Sequence, residues 1–276
     1  MSFELPDYGR PLLTIIDDDG DIHYLKDILP LCNEIDVNIS TAVSTTRIGT
    51  KDRWMTWDDI RDCYAAGTEV LCHTYSHPTV DELSLMSDTE IMERLTAARN
   101  RLMDEGISTG DILVYSSGTG YEPRMFNAAR TIFKAGIVIG GNTVNSKDSD
   151  PYQLKRYRID FATGDGDKSR KDYDIVDIKR YIDTISDCGG WGIMMFHTSN
   201  RKWSQLVEVD QEGRLICDEN NDAIPLYDKN GDPILDNDGT QYERTMGHLV
   251  YVPLLKEAIN YAREKGVEIV SVKNGY

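Results

Sequence analysis

An α/β fold built on parallel strands follows from three features of this 276-residue sequence. Short continuous apolar runs, such as Leu12-Leu13-Thr14-Ile15-Ile16, read as strands buried on both faces. Segments of helical periodicity separate those runs, so strand and helix alternate along the chain. The runs end in acids and histidines, and in parallel folds chemistry collects at the C-terminal ends of strands. Right-handed crossovers then give either an open doubly wound sheet or a (β/α) barrel, and the pattern alone leaves both open.

The first strand, Leu12 to Ile16, stops at Asp17-Asp18-Asp19-Gly20. A helical stretch from about Tyr24 to Glu34, interrupted by Pro30, leads to the β-branched strand Val37 to Val43. Thr56 to Ala66 is a helix closed by Gly67, followed by strand Glu69 to Cys72. Ser87-x-x-Glu90 is a capping box opening a helix with Ile91, Leu95, Ala98 and Leu102 on one stripe, ended by Gly106. The alternation continues through strand Ile112 to Tyr115, helix Pro123 to Lys134 and strand Ile137 to Ile139. It resumes with helix Ile175 to Ser186, strand Gly192 to Phe196, helix Leu249 to Lys265 and strand Val267 to Val272. Between Gln205 and Tyr242 acidic turn clusters recur, predicting an exposed β-hairpin insertion into the last crossover (about 205–242) within a single domain spanning 1–276. One cluster, Asp236-Asn237-Asp238-Gly239, lacks the spacing and terminal Glu of an EF-hand loop and reads as turn chemistry.

Composition excludes several function classes. With 47 acidic against 30 basic residues the net charge is −17, the wrong sign for binding nucleic acid or anionic lipid. The apolar run Gly192 to Phe196 falls far short of the roughly 20 residues that span a bilayer, so no membrane insertion is expected. The start, Met1-Ser2-Phe3-Glu4-Leu5-Pro6-Asp7, has an acid where a secretory signal carries positive charge. Five scattered cysteines, with no C-x-x-C pair, read as reduced thiols. Together these predict a cytoplasmic location.

Three strand ends carry the candidate chemistry. Asp17-Asp18-Asp19 crowds like charges at the end of a buried strand. His73-Thr74-Tyr75-Ser76-His77 follows another, and two histidines four apart can turn both imidazoles to one metal. Two imidazoles and a carboxylate make a set of three ligands that leaves positions open for water and substrate, as a catalytic metal site requires. His197 follows a third apolar run, whereas His23 and His248 stand on or beside predicted helices without a motif.

These residues resemble the polysaccharide deacetylases of the NodB-homology type, carbohydrate esterase family 4, over most of the chain. The family's threonine-phenylalanine-Asp-Asp-Gly motif is similar to Ile16-Asp17-Asp18-Asp19-Gly20, which implies Asp18 as catalytic base and Asp19 as metal ligand, with Asp17 in the aromatic position. His-Ser/Thr-x-x-His is matched by His73 to His77 and implies both as metal ligands. The third motif, Arg-Pro-Pro-x-Gly or Tyr-Pro-x-Gly, resembles Tyr115-Ser116-Ser117-Gly118 without the arginine and the proline, and places the backbone N–H of Ser117 where the family polarises the substrate carbonyl. The fourth, Asp-x-x-Asp-Trp, has no clear counterpart. Arg156, in Leu154-Lys155-Arg156-Tyr157-Arg158, is the candidate for the charged group that buffers the base in relatives, or else part of a surface-exposed basic strand. Met194-Met195-Phe196-His197 resembles the fifth motif and implies His197 as general acid.

The resemblance implies an irregular (β/α) barrel of the seven-stranded type. It implies a metal-dependent hydrolase that removes acetyl groups from N-acetylated or O-acetylated carbohydrate and releases acetate. One divalent metal is expected, Zn²⁺ first, with Co²⁺, Ni²⁺, Mn²⁺ or Fe²⁺ allowed by the N/O ligands. Tyr75, Tyr115 and Trp191 are aromatic candidates for stacking on sugar rings. The alternative is a non-catalytic carbohydrate-binding or structural module on a degenerate deacetylase barrel.

Overall fold

The computed structural model describes residues 6–159, 161–163, 175–198, 229, 247–249 and 252–275. Among them the chain runs β1 (Leu12–Asp19), α1 (Leu29–Ile35), β2 (Ser40–Val43), α2 (Trp57–Ala65), β3 (Val70–Cys72), α3 (Val80–Ser84) and α4 (Asp88–Asp104). There follow β4 (Ile112–Val114), α5 (Pro123–Ile132), β5 (Ala135–Ile139), β6 (Leu154–Arg158), β7 (Phe161–Thr163) and α6 (Ile175–Cys188). The last elements are β8 (Trp191–His197), β9 (Gly247–Leu249), α7 (Val252–Glu264) and β10 (Glu268–Ile269).

Seven parallel strands close into a barrel in the order β1-β2-β3-β4-β5-β6-β8, with β8 returning to β1. Of the two architectures that the alternation allows, the structure is therefore the (β/α)7 barrel. The β1–β8 seam runs from Leu12 opposite Trp191 to Asp18 opposite His197. β2 pairs with β1 only from Ile16 onward, and β10 takes the same edge at Leu12 and Leu13. The two strands splay at the bottom of the barrel, and the end of the chain fills the gap. β7 and β9 form a separate antiparallel pair.

Strand alternation divides the core into two layers. Leu12, Ile16, Ala42, Leu71, Ile137 and Ile193 fill the lumen, whereas Leu13, Ile15, Val43, Val70 and Leu113 face the shell of helices. The predicted stripe Ile91, Leu95, Ala98 and Leu102 is the buried face of α4. Lumen filling in the lower barrel leaves the C-terminal mouth as the place where polar groups meet.

Several local readings are corrected. Ser87 caps α4 through the Glu90 N–H at 3.2 Å, but the Glu90 carboxylate turns to Arg94 at 2.7 Å, so the box is only half made. Reciprocal boxes occur instead at Thr56–Asp59 and at Thr79–Glu82, the latter opening the unpredicted α3. The stretch from Tyr24 is helical, as a π-helical turn over Tyr24–Ile28 that passes directly into α1, and Pro30 stands at that change of helix type, in the first turn of α1. Leu249 belongs to β9, and the last predicted strand shrinks to Glu268–Ile269. The predicted hairpin insertion, Lys229 apart, lies outside the described residues. No described helix is long and apolar enough to cross a membrane.

Candidate metal centre

At the top of β1 the chain must turn away from a fully buried strand while delivering two carboxylates. Asp19 does so at φ +80°, and Gly20 continues at φ +74°. A Cβ on Gly20 would come within 2.9 Å of the Val43 side chain, so glycine is required both for its conformation and for its size. Strand alternation then sends Asp18 into the lumen and Asp17 into the helix shell.

The two histidines come from the loop after β3, which is not helical. Thr74 and His77 both adopt positive φ, +66° and +58°, folding the loop back on itself. The Thr74 hydroxyl accepts the His77 N–H at 3.1 Å, and the imidazole centroids end 4.9 Å apart. Among the described non-glycine residues with positive φ, four of five (Asp19, Thr74, His77 and Ser117) belong to this region, the pattern expected where backbone strain serves a site.

Asp19 Oδ1 lies 3.6 Å from His73 Nε2 and 3.3 Å from His77 Nε2, and one ligand atom from each of the three lies within 4.8 Å of the others. His73 Nδ1 is 2.8 Å from the Val114 carbonyl, which places the proton on Nδ1 and leaves the Nε2 lone pair facing Asp19. That Nε2 is buried and has no hydrogen-bond partner. Burial, reinforced by His77, holds His73 well below the usual imidazole range; burial also lowers His77. For Asp19, burial pushes the carboxyl up, but His197, His73, His77 and Arg47 outweigh it and hold it below the usual range. Two neutral imidazoles, a carboxylate and an orphaned nitrogen aimed at their centre fit a divalent cation.

The reacting groups implied by the sequence surround this triad. Asp18 is buried and takes Arg156 Nη1 at 2.6 and 2.7 Å on its two oxygens. Arg156, inward-facing on β6 and 1% exposed, donates through Nη2 to the Tyr115 carbonyl at 3.1 Å. It is thus a buried partner of Asp18 and not part of an exposed basic strand. His197 Nε2 stands 4.0 Å from Asp18 Oδ2 across the β1–β8 seam. Ser117 is exposed at φ +44°, on the turn that follows β4.

Two predicted sugar-contacting residues are elsewhere. Trp191 pairs with Leu12, six residues before His197 on β8 and so about 20 Å from the mouth. It is fully buried, its Nε1–H donating to the Thr14 hydroxyl at 2.9 Å. The Tyr115 ring turns outward, packed so closely that a Cβ on Gly120 or on Gly136 would fall 2.7 Å from it; only its carbonyl faces the site. Two residues were missed. Arg47 Nη1 donates to Asp19 Oδ1 at 3.0 Å while its guanidinium lies 5.1 Å from the Trp54 ring centroid. Thr198 donates its N–H to Asp17. Neither carries a motif: Arg47 reaches Asp19 from the loop after β2, and Thr198 reaches Asp17 across the β1–β8 seam.

A (β/α)7 barrel with an Asp-His-His triad at the C-terminal mouth is the class of protein that fold and site define. The sequence pattern of the polysaccharide deacetylase family matches residues 7–132, which contain Asp18, Asp19, His73, His77 and Ser117. Arg156 and His197 lie beyond the matched segment. No curated protein matches. Among solved structures the fold is similar to that of a peptidoglycan N-acetylglucosamine deacetylase, at 15% identity and a TM-score of 0.50, over 99% of this chain and 91% of that one. Alignments also exist with the Streptococcus pyogenes deacetylase PplD in complex with acetate (21% identity, TM-score 0.47, 53% of this chain and 63% of that one). A further one is the Xyl-CE4 domain of a multidomain xylanase from the hindgut metagenome of Trinervitermes trinervoides (12% identity, TM-score 0.47, 96% and 89%). At these identities the likeness is one of fold, and the alignment spans under two thirds of the Streptococcus pyogenes protein.

Proposed function

We propose that the protein is a metal-dependent hydrolase that removes acetyl groups from N-acetylated, or O-acetylated, carbohydrate. The observation that carries this reading is the convergence of Asp18 and His197 on a ligand-competent Asp19–His73–His77 triad. The triad would hold one divalent ion, Zn²⁺ first. When bound, such an ion supplies Lewis acidity to an acetyl carbonyl and lowers the pKa of water.

The chain's own residues supply the rest. Asp18, its charge compensated by Arg156, takes a proton from the attacking water as the new C–O bond forms at the acetyl carbon. The Ser117 N–H, for which no acceptor is found among the described residues, faces the developing oxyanion. His197 gives a proton to the leaving amine as the C–N bond breaks, yielding acetate and a free amino sugar.

The test is acetate release from N-acetylated oligosaccharides and O-acetylated esters by metal-stripped protein reloaded with Zn²⁺ or Co²⁺, beside Asp18→Asn. Metal-dependent release that is lost in Asp18→Asn is expected. Stoichiometric metal binding with no release from any acetylated probe would point instead to a binding module.

A further inference from the structure

Asp17, the third acid of the run that ends β1, has no part in the chemistry above. It is fully buried and faces the helix shell, on the side of β1 where Leu13 and Ile15 pack. An apolar residue would fill that position without the cost of desolvating a carboxyl group. One residue uses both carboxyl oxygens. Thr198 donates its N–H to Oδ1 at 3.0 Å, and its Oγ1 lies 3.1 Å from Oδ1 and 3.2 Å from Oδ2.

Thr198 directly follows His197, the last residue of β8, whose register partner is Asp18. The N–H that would carry the parallel ladder one step further is captured by a side chain of the facing strand. The backbone is therefore pinned on both sides of the imidazole, by the ladder before it and by Asp17 after it. We propose that Asp17 is a positioning residue for His197, holding the imidazole in the orientation from which it protonates the leaving group. The inference rests on the reading of His197 as general acid.

The test compares two acetyl donors with the Zn²⁺-loaded protein. One is an N-acetylglucosamine trimer, whose amine must gain a proton as it leaves; the other is p-nitrophenyl acetate, whose phenolate leaves without one. Asp17→Leu suits the apolar shell and loses both contacts to Thr198. Asp17→Asn keeps an acceptor for the Thr198 N–H and offers a donor to its Oγ1. For Asp17→Leu we expect kcat on the trimer to fall roughly 30- to 100-fold, within the range of a misplaced general acid, with KM and bound zinc changed less than about twofold. The aryl ester should lose under about threefold, and Asp17→Asn should return the trimer rate to within about threefold of wild type.

His197→Ala is the reference. If it depresses both donors equally, or if the wild-type protein hydrolyses neither, the reading of the site fails and this inference fails with it. If His197→Ala discriminates between the donors but Asp17→Leu depresses both alike, or behaves as wild type, the positioning role alone is overturned. Should Asp17→Leu not fold, Thr198→Val carries the same comparison: a loss of about fivefold confined to the trimer is expected, and an equal loss on both donors overturns the proposal.

Discussion

Replacing Arg156 by methionine removes the only counter-charge hydrogen-bonded to the Asp18 carboxylate among the described residues, at a position where both side chains are about 1% exposed. The carboxylate left behind is buried without compensation, which costs about 3–4 kcal/mol. The Tyr115 carbonyl also loses its donor, adding about 1 kcal/mol. A loss of about 3–5 kcal/mol at pH 7 is expected, matching the usual cost of breaking a buried pair from one side.

Urea unfolding of chelator-treated wild type and Arg156→Met at pH 7 measures the loss. In an Asp18→Asn background the same replacement should cost only about 1–2 kcal/mol. A gap below about 1 kcal/mol at pH 7 refutes the reasoning.

Three further outcomes are expected. Calorimetric titration of stripped protein should show one divalent ion per chain, and none for His73→Ala or Asp19→Ala. Because burial holds both imidazoles below their ordinary range, affinity should drop less than about threefold between pH 7 and pH 6, where two ordinary histidines would lose about tenfold. Ser117→Gly should keep the full deacetylation rate and gain about 0.5–1 kcal/mol in thermal unfolding, since only the backbone N–H is used and φ +44° suits glycine; a rate loss above tenfold would show that the side chain takes part.

What the sequence made legible was whatever is local. His73 to His77 is a continuous motif, and the acids of β1 follow an apolar run, so these candidate ligands could be singled out before the fold was closed. Arg156 was a candidate on charge alone; its reach to Asp18, 138 residues away, depends on β6 standing across the lumen from β1. Trp191 precedes the run that ends in His197, so chain direction alone sets it at the N-terminal end of β8, away from the mouth, and aromatic character was the wrong guide to it. Tyr115 was misread because period-two alternation sends the residue after β4 outward, leaving only its carbonyl for the site. Arg47 had no signal, since its link to Asp19 arises from a loop that folds over Trp54.

The β1–β8 seam also bears on synthesis. β1 leaves the ribosome about 180 residues ahead of the strand that completes the ring, an interval of roughly 10–40 s at ordinary translation rates. Throughout that interval one edge of an apolar strand stands without its neighbour, the condition under which nascent chains pair wrongly with one another. The three consecutive acids at the end of β1 give that waiting edge a concentrated negative charge, which repels a second copy at the same stage.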